Sequence, residues 1–233
     1  MTAQLIRAVR TGLAELAQPA KAPEMQRYMK STMPFRGVAK PARQALASRV
    51  FAEYPLSDVG MWQRAVRELW HEAEFREERY LAIALTGHRA YSGWQVPERL
   101  PLYEELIVDG AWWDFVDELA IHRVGPILRA FPTELRPAMR AWARSPDRWK
   151  RRSAVICQIG AKGATDRELL AECVEANTGD ADFFLRKAIG WALRQYARTD
   201  PEWVAGFVAA HPELSPLSRR EALKHLGARR GAA

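Results

Sequence analysis

Cysteine is nearly missing from this chain, with only Cys157 and Cys173 among 233 residues. Neither has C-x-x-C spacing or a histidine cluster nearby, which argues against a disulfide framework or a zinc site. Both lie on segments with helical spacing, so they read as buried free thiols. The five histidines (His71, His88, His122, His211, His225) form no H-x-x-x-H or H-E-x-x-H arrangement, which argues against a metal-dependent nuclease. Neither a Gly-rich phosphate loop nor a Ser/His/Asp signature is apparent. No stretch reaches the roughly 18 consecutive apolar residues of a membrane span, and the amphipathic N-terminus MTAQLIRAVRTGLAEL has no cleavage pattern. These absences predict a soluble, cytoplasmic chain with no metal and no cofactor. Sustained period-2 alternation is lacking too, so strands are not expected.

What is present points to helices. Hydrophobic residues make up 48% of the chain and aromatics 10%, enough for a real core. Apolar residues recur at helical spacing, and breakers such as Pro41, Pro55, Pro97, Pro101, Pro132, Pro146, Pro201 and Pro216 divide the chain into helices of about 10–18 residues. The fold expected is all-α. An alanine followed by a branched aliphatic residue recurs in Arg43-Gln-Ala-Leu, Tyr80-Leu-Ala-Ile, Glu118-Leu-Ala-Ile, Arg152-Ser-Ala-Val, Arg186-Lys-Ala-Ile and Arg220-Glu-Ala-Leu. These units start at intervals of 37, 38, 34, 34 and 34 residues, a length that means helix pairs burying their apolar faces by stacking. The expectation is a single domain over residues 1–233, a curved solenoid of about six HEAT-like pairs with an extended concave surface.

Charge is unevenly placed. Residues 1–135 hold 17 Lys and Arg against 17 Asp and Glu, whereas residues 136–233 hold 18 against 11, so the net +7 belongs to the C-terminal part. Such asymmetry fits a polyanion partner or simply a basic surface. The charged run HEAEFREERY reads as a solvated helix surface, and Gly125-Pro126 reads as a turn.

In GAWWDFVDELAI, residues 110–121, two adjacent tryptophans cannot share one helix face. Trp112, Phe115, Val116 and Leu119 fit the buried stripe, which assigns Trp112 to the core. Trp113 and Asp117 then stand one turn apart on a neighbouring face, either presented together or packed under a loop and solvated respectively. In ADFFLRKAIGWALRQYAR, the stripe Leu185, Ile189, Ala192 and Tyr196 is buried, and Lys187, Trp191, Arg194 and Arg198 form a second one. An aromatic among cations on a concave surface suits nucleic acid. Trp191 is alternatively a shoulder of the core beside Phe184 and Ala188.

The stretches RYMKSTMPFRGV, LPLYEELIVDGAWWDFVDELA, WKRRSAVICQ, FFLRKAIGWALRQYARTDP and LSRREALKHL resemble, in order, the AlkD family of DNA alkylation repair proteins, bacterial DNA glycosylases built of HEAT-like repeats. The resemblance runs from about residue 5 to residue 227. It implies that the family's site tryptophan, catalytic aspartate, arginine and second tryptophan are Trp113, Asp117, Arg152 and Trp191. It also implies DNA contacts at Tyr28 and Arg194, with Lys162 in the divergent stretch IGAKGATD as a looser candidate. The implied activity is removal of N3- and N7-alkylated purines from duplex DNA without extruding the nucleotide. The partner expected is alkylated double-stranded DNA, bound by a monomer with no membrane and no obligatory protein partner. On that reading Arg152 holds either the adjacent phosphate or the aspartate. Two rivals remain, a DNA-binding module without catalysis and a helical-repeat scaffold for proteins.

Overall fold

The computed structural model describes residues 1–226, and helices carry most of them. No strand occurs among the described residues. The chain divides into two compact units, Met1 to Trp94 and Gln95 onwards. The first contains α1 (Thr2–Glu15), α2 (Ala22–Met29), α3 (Lys40–Glu53), α4 (Val59–His71) and α5 (Arg76–Thr86). The second contains α6 (Leu100–Gly110), α7 (Trp113–Leu119), α8 (Gly125–Ala130), α9 (Pro132–Ala143), α10 (Arg148–Ile156), α11 (Arg167–Glu175), α12 (Phe183–Tyr196), α13 (Pro201–Ala210) and α14 (Pro216–Leu223). Pro41, Pro101, Pro132, Pro201 and Pro216 all sit in the first two positions of a helix, where a missing N–H costs nothing. No helix among the described residues is long and apolar enough to cross a membrane.

In the first unit α1, α3, α4 and α5 pack around Leu5, Val9, Leu13, Trp62, Leu69 and Trp70. The run HEAEFREERY departs from expectation here, because Glu77 and Glu78 are buried rather than solvated. Their charges are compensated by distant donors. Glu77 accepts the backbone N–H groups of Arg36, Gly37 and Val38 at 2.9–3.1 Å, and Glu78 pairs with Arg10 at 2.9 Å. A carboxylate can be buried when several N–H donors replace its water.

The repeat read from the sequence is visible in the helices. Its six alignment points, residues 43, 80, 118, 152, 186 and 220, fall one each on α3, α5, α7, α10, α12 and α14. In the second unit polar ties join residues one repeat apart. Asn177 Nδ2 donates to the Ala143 carbonyl at 3.0 Å and Ser218 Oγ to the Arg186 carbonyl at 2.9 Å, separations of 34 and 32 residues. Five consecutive helices, α10 to α14, open on an N-cap side chain that accepts backbone N–H bonds: Asp147, Asp166, Asp182, Asp200 and Ser215. Each such cap is worth about 1 kcal/mol. Cys157 and Cys173 are buried free thiols, as expected, and burial pushes the Cys173 thiol up to about 12.

Gly125-Pro126 is not a turn. A π-helical segment, Ala120–Val124, runs directly into α8, so the chain stays helical through the proline. Proline lacks an N–H and crowds the carbonyl four residues back, and a π turn is one of the ways a helix absorbs that misfit. Gly125 has a second role: a methyl placed on it would collide with the carbonyl oxygen of Cys157 at the end of α10. The bare backbone lets the α7–α8 segment lie against α10. Helix propensity alone would favour Gly125→Ala by about 1 kcal/mol. The expected result is the opposite, a loss of about 1–3 kcal/mol from overpacking against backbone, seen as a lower thermal midpoint. A midpoint that rises would show that the approach is not tight.

Candidate active site

α10 packs against both α7 and α12, which brings residues of three successive helix pairs together. Arg152 projects from α10 and is only 5% exposed. Its Nε and Nη2 donate to Oδ1 and Oδ2 of Asp117 on α7, both at 2.7 Å. Its Nη1 donates to the Phe184 carbonyl of α12 at 2.6 Å. This is a fork-to-fork pair, the geometry that a planar guanidinium makes with a carboxylate and a lysine cannot reproduce. Of the two tasks considered for Arg152, the structure shows the grip on the aspartate.

Asp117 keeps 16% of its side chain exposed, so the carboxylate is gripped from one side and open on another. Burial raises its pKa above the ordinary aspartate value of 3.8. The Arg152 hydrogen bond and charge pull the other way, and the charge of Asp114 one turn earlier adds to the rise.

Trp113 and Trp191 are half-buried, on α7 and α12. Neither ring stacks on another aromatic ring or a cation among the described residues. Trp112 behaves differently from both and from expectation. It is the N-cap of α7, in extended backbone, because Ala111 before it turns into the left-handed region. Half-buried, it packs on Phe184 and Trp149 with ring centres 5.5 and 6.3 Å away. Phe115, Val116 and Leu119 are buried as expected.

The stripes of α12 divide as read. Leu185, Ile189, Ala192 and Tyr196 are buried, while Lys187, Trp191 and Arg194 are half-buried and Arg198 exposed. The cations of this stripe are not alike. Lys187 Nζ lies 2.8 Å from Glu221 Oε1 of α14, and Arg194 bonds the other oxygen of the same carboxylate. Arg198 and Lys162 form no ion pair among the described residues and line one pocket of about 240 Å³. Gln158, which bonds the Asp166 backbone at 2.7 and 3.0 Å, also lines it. Neither Asp117, Arg152 nor either site tryptophan does. Tyr28 stands on α2 in the first unit and is 72% exposed. Glu221 escaped the sequence reading, although it follows Lys187 by one repeat of 34 residues.

Fold and side chains together define an all-α helical-repeat protein whose successive helices hold a forked carboxylate and two partly exposed tryptophans. Similarity narrows this further. A family model described as "DNA alkylation repair enzyme" matches residues 9–226, and the chain belongs to that family. A solved structure from Enterococcus faecalis, a predicted DNA alkylation repair enzyme, is similar at 30% identity and a TM-score of 0.81, covering 90% of this chain and 96% of that one. The fold is also similar to that of AlkD2 from Streptococcus mutans, at 16% identity and a TM-score of 0.62, with 87% and 97% covered. A further Streptococcus mutans protein shares it at 15% identity and a TM-score of 0.60, with 86% and 98% covered. No curated protein sequence matches the chain.

Proposed function

We propose that this protein is a monofunctional DNA glycosylase that hydrolyses the N-glycosidic bond of N3- and N7-alkylated purines in duplex DNA, with the damaged base left in the stack. The observation that carries this reading is the carboxylate of Asp117, clamped at both oxygens by a buried arginine yet still open to solvent. The rival readings, a DNA-binding module and a protein scaffold, do not call for a carboxylate that is clamped by a buried arginine and still open on one side.

Alkylation at N3 or N7 gives the base a formal positive charge. When the C1′–N bond breaks, its electron pair leaves with the base, which departs neutral and needs no proton. Positive charge develops on the deoxyribose, as in glycoside hydrolysis, and Asp117 stabilises it. Water then attacks C1′ and gives up a proton, leaving an abasic sugar. Asp117 positions that water or takes its proton, and burial makes it a stronger base than an ordinary aspartate. Trp113 and Trp191 turn electron-rich faces toward the cationic sugar. Arg152 fixes the carboxylate. Arg198, Lys162, Lys187, Arg194 and Tyr28 contact the DNA backbone, and the chain acts as a monomer in the cytoplasm. The direct test incubates the protein with duplex DNA carrying N7-methylguanine and measures free base and abasic sites. An intact duplex would remove the reading.

The pH dependence follows from the same site. Excision needs ionised Asp117, so the rate rises with pH through that group's pKa. Burial raises it, which places the acid limb above pH 3.8. Arg152→Met removes the hydrogen bond and charge that lower it, and the limb is expected to move to still higher pH in single-turnover profiles. A limb that stays in place would mean that another group controls the rate.

A further inference from the structure

Glu221 is an acidic side chain set between the cations that flank Trp191. Lys187 and Arg194 are seven residues apart on α12, two turns, with Trp191 between them in sequence. Glu221 reaches across from α14 and gives one oxygen to each. The three charges sum to a single positive charge where Lys187 and Arg194 alone would offer two.

The carboxylate cannot easily withdraw. A Cβ on Gly190 would lie 2.5 Å from the Cβ of Glu221, so α14 is seated directly on the α12 backbone at that point. The Ser218 hydroxyl fastens the same turn to the Arg186 carbonyl at 2.9 Å. Glu221 is 17% exposed at its side chain and Lys187 is 42% exposed. The Lys187 hydrogen bond and the charge of Arg194 hold Glu221 below the ordinary glutamate range, against the effect of burial. The anion is therefore seated and charged, while the cations stand on longer stems with more rotatable bonds, Lys187 the more exposed and Arg194 at 21%.

We propose that Glu221 is a built-in competitor for DNA phosphates, engaging Lys187 and Arg194 when no DNA is bound and limiting how tightly undamaged duplex is held. Each phosphate drawn to these cations must displace a carboxylate bond and approach a like charge that stays behind. The consequence is weak, readily reversed binding to ordinary DNA beside Trp191, which suits an enzyme that must sample many undamaged sites. This inference rests on the function proposed above.

The test measures binding of the full chain to undamaged duplex DNA from about 50 to 200 mM salt. Glu221→Gln keeps the shape of the side chain and removes its charge. It is expected to bind about tenfold more tightly, with a log–log salt slope steeper by about 0.9 for each phosphate gained. The gain is expected to disappear when Lys187→Ala and Arg194→Ala are added. Glu221→Asp, which keeps the charge, is expected to bind more weakly than Glu221→Gln. Equal or weaker binding by Glu221→Gln would overturn the proposal and leave the glycosylase reading standing. A gain that survives loss of both cations, or an equal gain in Glu221→Asp, would overturn it too, since loosened packing of α14 would then be the cause. An unaltered chain that ignores duplex DNA at every salt would remove both readings together.

Discussion

Asp117→Asn protein is expected to release N7-methylguanine about 10²–10³-fold more slowly than the unaltered chain, the cost typical of deleting one preorganised electrostatic contact to a transition state. The amide keeps the size of the side chain and one acceptor oxygen for Arg152, but it removes the charge that opposes the cationic sugar. A structural cost accompanies the kinetic one. Arg152 is buried and loses its counter-charge, and breaking a buried pair this way costs about 3–5 kcal/mol in well-enclosed cases. The exposed edge of Asp117 puts this site toward the lower end. Rates must therefore be compared at a temperature where circular dichroism shows both proteins folded. If the folded variant releases base at the unaltered rate, Asp117 has no part in the chemistry.

Lesion charge is expected to divide substrates more sharply than lesion size. Under the mechanism we propose, one carboxylate acts on the sugar and no acid acts on the base, so only a base that already carries a formal cation would leave readily. N7-methylguanine and N3-methyladenine are expected to be released, while hypoxanthine and uracil in the same duplex remain intact. With the base left in the stack, as proposed, a larger alkyl group should slow the reaction less than in an enzyme that flips its substrate. Single-turnover assays on one duplex sequence carrying each lesion in turn make the comparison. Efficient release of hypoxanthine would reveal a general acid and sink the one-carboxylate mechanism.

Much of this architecture is written in local signals. Period-3.6 apolar spacing, prolines at helix starts and aspartate caps act within a turn or two, and the 34-residue spacing marks the repeat. Trp113, Asp117 and Trp191 stand out through helical spacing, as do the two stripes of α12, and the repeat sets Arg152 in the equivalent helix between them; only the roles expected of the four come from resemblance to a family. The misreadings have another origin. Glu77 and Glu78 look solvated in sequence because the donors that permit their burial, the Arg36 to Val38 backbone and Arg10, lie 39–41 and 68 residues away. Gly125 looks like a breaker because the carbonyl it makes room for belongs to Cys157. Trp112 was assigned by a periodicity that the left-handed Ala111 interrupts one residue earlier. In each case the deciding partner or backbone kink lies outside the pattern being read.

The grip of Arg152 on Asp117 and on the Phe184 carbonyl ties three consecutive helix pairs, so the candidate site is laid out along the stacking direction. Its internal dimensions are then inherited from the pitch between neighbouring pairs. A slight twist or slip of α12 against α10 would reset the gap between the two tryptophans without disturbing any side chain of the site itself. Arg152 works in this sense as a spacer gauge, and the stiffness of the second unit as a whole becomes a determinant of how well the site would fit the sugar of the proposed substrate.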